Sequence, residues 1–123
     1  MRTNEQLIQL RPQIQREATE FSAAEQFQND ILRPVLKFQH DLLLHEWQEN
    51  PIFQPVQKAN TLEERRQLLS KLFSKHTPYL QRLVGMIVGL LTLEEYHFYL
   101  KEKAALDKRI KELLITRFLS YQA

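Results

Sequence analysis

Residues 27–47 read FQNDILRPVLKFQHDLLLHEW. At about 100° per residue, Phe27, Ile31, Val35, Phe38 and Leu42 fall within about 40° of one direction. Leu32, Leu36, Leu43 and Trp47 widen the apolar arc to roughly 200°. A helix apolar over more than half its circumference cannot rest on a surface and must be surrounded. The stretch therefore predicts a central helix with several others packed around it. SAAE marks its start: the Ser22 hydroxyl can accept from the Glu25 amide, and the Glu25 carboxylate can return to Ser22. Pro51 marks its end by disfavouring helical geometry at Asn50. The predicted span is 22–49.

Pro34 lies inside that helix. It removes the N–H that would donate to the Asp30 carbonyl, and its ring crowds the preceding turn, so a kink with freed carbonyls is expected. Asn29, Arg33 and His40 form one line along the edge of the apolar arc, with Lys37 beside them. Gln28 and Gln39 fall within the arc, where an amide needs a hydrogen-bond partner. Two readings of this polar edge are open. It is the hydrogen-bonded trim of a kinked core helix, or it holds an anion or small polar ligand through Asn29, Arg33 and His40.

Elsewhere the helical signals repeat. Thr3 or Asn4 can cap an N-terminal helical arm, 1–21, whose apolar residues Leu7, Leu10, Ile14, Ala18 and Phe21 are diluted by glutamines and which Pro12 interrupts. It is expected to pack less firmly than the rest. PIFQPVQKAN, 51–60, reads as an ordered loop held by Ile52, Phe53 and Val56. In the C-terminal part, 61–123, TLEE at Thr61 and again at Thr92 are capping boxes. Thr77 is the expected cap before Pro78, and a last helix over roughly 104–121 buries Leu106, Ile110, Leu113, Leu114 and Phe118. No useful length alternates as a strand would. The two glycines leave little room for hairpin turns. The prediction is an all-α, single-domain bundle of five or six helices around a long, proline-kinked central helix.

Composition narrows the chemistry. Without cysteine there is no disulfide framework, thiol nucleophile or cysteine zinc site, which fits a cytoplasmic protein. The opening MRTNEQLIQL lacks the apolar stretch of a secretory signal. The apolar run 83–91 falls short of the about 20 residues a membrane span needs, so no membrane is expected. Residues 1–60 carry six basic and eight acidic side chains, and residues 61–123 carry eleven and seven. The basic residues of the last helix are interleaved with acids and accompany no recognition motif, so nucleic acid is not the expected partner. Glu94-x-x-His97 has the i,i+3 spacing of di-iron bundles, but such sites need two copies and further glutamates, so no metal or cofactor is expected. Phosphate-loop, serine-elbow and zinc-protease motifs are absent. Gly85 and Gly89 share a helix face and are read either as a close internal helix crossing or as a seam between two copies.

Phe27, Gln28, Asn29, Leu32, Arg33, Pro34, Leu36, Lys37 and Gln39, followed by Gly85, Gly89, Thr92, Glu95, Tyr96, Tyr99, Leu106, Lys108, Arg109 and Ile110, resemble a family of short, uncharacterised all-helical bacterial proteins. The resemblance covers most of the chain after about residue 21, and it implies a helical fold. Some members carry the label "glyoxalase", which implies a metal-dependent lyase. That fold is built from paired βαβββ modules with His and Glu ligands on strands, and this sequence offers neither strands nor a second module. The functional expectation is a binding or protein-interaction module, working as a homodimer or with another protein. The alternative is an enzyme or small-anion-binding protein whose pocket is lined by Asn29, Arg33 and His40, with His40 or His97 as its acid or base. The predicted surface joins Asn29, Arg33, Lys37 and His40 to Tyr96, Tyr99 and Arg109.

Overall fold

A computed structural model describes residues 3–11 and 22–121. In chain order these form α1 (Asn4–Gln9), α2 (Ala23–Phe27), a π-helical turn (Gln28–Leu32), α3 (Arg33–Phe38) and α4 (His40–Glu49). A 3-10 turn (Pro51–Phe53) leads into α5 (Gln54–Lys58), α6 (Leu62–Lys75), α7 (Thr77–Val88), α8 (Leu93–Lys101) and α9 (Lys103–Ser120). The all-α class holds, with no strand among the described residues. The segmentation is finer than the predicted five or six helices. No described helix is long and apolar enough to cross a membrane.

Side-chain caps account for the starts of α1, α2, α6 and α8. Thr3 accepts from the Gln6 amide while the Gln6 side chain accepts from Thr3, a complete reciprocal cap. Ser22 and Thr61 accept from the amides of Glu25 and Glu64. Thr92 and Glu95 close the second complete box. The start of α7 differs from expectation. His76 is its cap and makes no side-chain bond there, while Thr77 lies within the first turn and donates its hydroxyl to the Ser74 carbonyl. Pro78 follows in that turn, where a missing N–H costs no helix bond.

The stretch 22–49 is helical from Ala23 to Phe38, with a π turn just before Pro34, and again from His40 to Glu49. Pro34 directly follows the π turn, in which the Arg33 amide reaches back five residues to the Gln28 carbonyl. A second interruption sits at Gln39, with φ −86° and ψ 11°. Each irregularity rotates the next segment relative to a uniform wheel. Leu32, Val35, Leu36, Leu43 and Trp47 are therefore buried, whereas Phe38 and Leu42, expected at the centre of the arc, stay 41% and 54% exposed.

The predicted loop 51–60 is helical over Pro51–Lys58, and it supplies core. The Asn50 side chain accepts from the Ile52 amide to start the 3-10 turn. Arg65 donates to the Gln57 and Ala59 carbonyls at the end of α5, so that short helix is closed from α6. Gln57 in turn donates to the Trp47 carbonyl. Phe53, fully buried, lies 4.7 Å from Phe118 and 5.3 Å from Trp47 between ring centroids. Phe73 and Tyr121 complete this aromatic end of the core. At the other end Phe27 packs on Phe98 at 5.0 Å.

The N-terminal arm is tied down by a contact that its sequence does not advertise. Arg11 donates through both terminal nitrogens to Glu95, at 2.9 and 2.6 Å, and also to the Leu90 carbonyl. The two side chains are only 9% and 15% exposed. Leu7 is buried, while Leu10 is not. Pro12, Ile14, Ala18 and Phe21 of the predicted arm lie outside the described residues.

Candidate functional site

The polar edge predicted on the central stretch runs along α9. Gln28 accepts from Arg109 at 3.2 Å, and His40 Nδ1 lies 3.3 Å from the Tyr121 hydroxyl, with the rings edge-on. Both pairs are separated by 81 residues, so the two stretches run side by side in the same direction. Between these pairs, Asn29 accepts from Arg33 Nε at 2.9 Å, one helical turn away. Gln39, within the arc, donates to the Met86 carbonyl of α7. Gln28 and Gln39 thus find the partners that buried amides need.

The structure therefore divides the predicted site residues between two places. Arg33 and Lys37 line a groove of about 370 Å³ against α9, together with Leu36, Leu113, Thr116, Arg117 and Ser120. Asn29 orients Arg33 from beside it, while Arg109 and His40 are engaged by Gln28 and Tyr121 to either side. Tyr96 and Tyr99 belong to a second groove. Burial raises the Tyr121 phenol above its ordinary range, so it stays a neutral partner for His40 near neutrality.

The second groove is the larger, about 550 Å³, and opens between α7, α8 and α9. Leu80, Val84, Gly85 and Val88 give it an apolar floor, Tyr96, Tyr99 and Leu100 form one wall, and Lys103, Asp107, Lys108 and Lys111 the other. Gly85 is exposed, and a methyl added there would meet nothing within 4 Å. The close internal crossing expected at the glycine pair is therefore not formed at Gly85. At Gly89 an added methyl would sit 3.0 Å from the Gly85 carbonyl oxygen. Tyr99 is fixed by donating its hydroxyl to Asp107, which also pairs with Lys103. Burial and that carboxylate push the Tyr99 phenol up, so it remains protonated and a donor across the neutral range.

Helix α8 also carries an uncovered apolar stripe. Leu93, Tyr96 and Leu100 are 65%, 39% and 48% exposed, and their 3 and 4 spacing places them on one face. The sequence named Tyr96 but not this face, because a leucine at i,i+3,i+7 predicts burial as readily as exposure. Arg117 and Thr116 were also missed. Leu113, Thr116, Arg117 and Ser120 share an i,i+3,i+4,i+7 face, a signal hidden by reading the basic residues of α9 as a solvated surface.

The histidines outside the edge, His45, His76 and His97, are exposed. Among the described residues no three histidine, aspartate or glutamate side chains are placed to hold a metal ion. Comparison with known proteins finds no family model, no curated protein and no solved structure that matches the chain.

Proposed function

We propose that the chain is a protein-interaction module that receives an acidic amphipathic helix of a partner protein in the groove between α7, α8 and α9. The observation that carries this reading is the exposed stripe Leu93, Tyr96 and Leu100, of which Tyr96 and Leu100 line a groove with an apolar floor. Such an apolar face, spaced for i,i+3,i+7 anchors and rimmed by charge, suits a helix laid into a groove. The opposite wall carries Lys103, Lys108 and Lys111 against one carboxylate, Asp107, and so favours an acidic flank on the partner.

Magnitudes show why both features are needed. Covering the exposed parts of the three stripe residues contributes roughly 3–4 kcal/mol, which does not by itself exceed the cost of association, about 4 kcal/mol or more. The floor and the lysine wall must supply the rest.

The test is fluorescence anisotropy with two designed helical peptides that share leucines at i, i+3 and i+7, one with an acidic polar face and one with a basic face. The acidic peptide is expected to bind at least about tenfold more tightly, since like charges along one wall disfavour the other. Leu100→Glu should abolish that binding without changing the melting temperature appreciably. Equal binding of both peptides, or binding indifferent to Leu100→Glu, rejects the reading. A concentration-dependent dimer that Leu100→Glu dissolves would assign the groove to a second copy of the chain instead.

A further inference from the structure

The smaller groove has a different chemistry. Its lining brings three cationic side chains together, Arg33 and Lys37 from α3 and Arg117 from α9, with no carboxylate among the lining residues. Elsewhere the described cations include Arg11, Arg66, Arg82 and Lys103, each facing an acid. Three like charges around one depression repel one another, and only a bound anion turns that repulsion into a gain.

We infer that this groove binds the phosphate group of a small phosphate monoester. Several observations favour phosphate over a simple carboxylate. Two arginines line the groove, Arg33 from α3 and Arg117 from α9, and guanidinium forks match phosphate oxygens bidentately. Arg33 is already held through its Nε by Asn29, which reduces the ordering cost of recruiting its terminal nitrogens. Thr116 adds a hydroxyl donor beside them. Ser120 is not counted as a donor, because its hydroxyl is given to the Arg117 carbonyl; that bond instead ties the last turn of α9 beneath Arg117. Leu36 and Leu113 offer an apolar wall for the organic part of the ligand, and about 370 Å³ is the size of a small-molecule site rather than a macromolecular track.

The site is independent of the helix-binding groove, since the two share α9 but no residue. The test is a titration of the full chain, followed through backbone amide and arginine Nε signals, with phenyl phosphate, inorganic phosphate, a short DNA duplex and anionic lipid vesicles as separate probes. Phenyl phosphate is expected to saturate at millimolar concentration or below, to shift Leu36, Leu113 and Thr116, and to weaken as salt rises. Inorganic phosphate, which lacks the apolar part, should bind the same residues more weakly. Arg117→Gln should weaken phenyl phosphate about tenfold or more, the loss expected for a charge-assisted contact. Lys37→Gln, at an exposed position that folding does not depend on, should weaken it severalfold and keeps the test informative if Arg117→Gln unfolds the chain. Non-saturating shifts, or affinity unchanged in both variants, overturn the proposal. Tighter binding of the duplex or the vesicles through the same residues overturns the small-molecule assignment.

Discussion

The two grooves lie on the same helix and are built by opposite means. Between α7, α8 and α9 the floor is apolar, aromatic and aliphatic side chains make one wall, and on the charged wall the acid Asp107 is paired with Lys103 and fixes the Tyr99 phenol. Between α3 and α9 the walls carry three cations with no acid among them. The difference stems from position on α9. Its first half presents Asp107, Lys108 and Lys111 to one side, and its second half presents Thr116, Arg117 and Ser120 to another. A single amphipathic helix can support an apolar recess and a charged one because its buried face, Leu106, Ile110, Leu114 and Phe118, is occupied by the core and leaves both flanks to solvent.

The largest effect is expected from removing the seat that the two grooves share. Phe118 is fully buried against Trp47, Phe53 and Phe73. Phe118→Ala should cost about 3–5 kcal/mol by leaving a cavity, and both grooves should fail together in chemical denaturation and in ligand titration. Loss of only one would show that the grooves do not depend on the common seat of α9.

Next in size is Glu95, which bears only on the α8 side. Glu95→Gln should cost about 2 kcal/mol, because Arg11 would lose a bidentate charged partner in a largely buried site. The titration has the same direction. Burial would raise the Glu95 carboxyl, but bonds from Arg11 and the Thr92 amide outweigh it and hold the group below the usual carboxylate range. A lowered folded pKa gives stability that is present above the unfolded value and lost as pH falls through the folded one. Thermal melts should therefore decline on acidification in the native chain and less so in Glu95→Gln. An identical acid response in both would show that Glu95 does not set the acid limit.

The smallest effect has the opposite sign. Gly85→Ala meets no neighbour and replaces glycine within a helix, so it should stabilise by about 0.5–1 kcal/mol. Gly89→Ala meets a backbone oxygen at 3.0 Å and should not share that gain. Measured side by side in urea, a matched pair of shifts would contradict the open floor of the apolar groove.

Much of this architecture is legible in the sequence, and the exceptions have physical causes. Capping boxes at Ser22, Thr61 and Thr92 locate helix starts because a hydroxyl three residues before an acid has a local, short-range meaning. The polar edge can be traced along the central stretch from spacing, but its partners cannot. Gln28 meets Arg109 and His40 meets Tyr121 through tertiary contacts that no local pattern encodes. Phe38 and Leu42 were misplaced because a π turn and the break at Gln39 shift the phase that a uniform wheel assumes. The helix at Pro51–Lys58 was missed because two prolines within five residues argue for a loop, yet both stand in first turns, where proline is tolerated. Arg11 gave no signal at all, since its partner is 84 residues away.

The constant offset of 81 residues between the central stretch and α9 has a further consequence, for the order of assembly. The contact that fixes Tyr99 to Asp107 closes a loop of only eight residues. Closing a loop tenfold longer costs about 2 kcal/mol more in chain entropy. Loop-closure entropy therefore predicts that the apolar recess, built from sequence neighbours, forms ahead of the cationic one, which needs residues 28–40 docked alongside the last helix. Pulse-labelled amides of α7–α9 should gain protection before those of 28–40, and the reverse order would refute this sequence of events. On that order, a newly made chain would present the surface proposed to receive a partner helix before the surface proposed to receive phosphate.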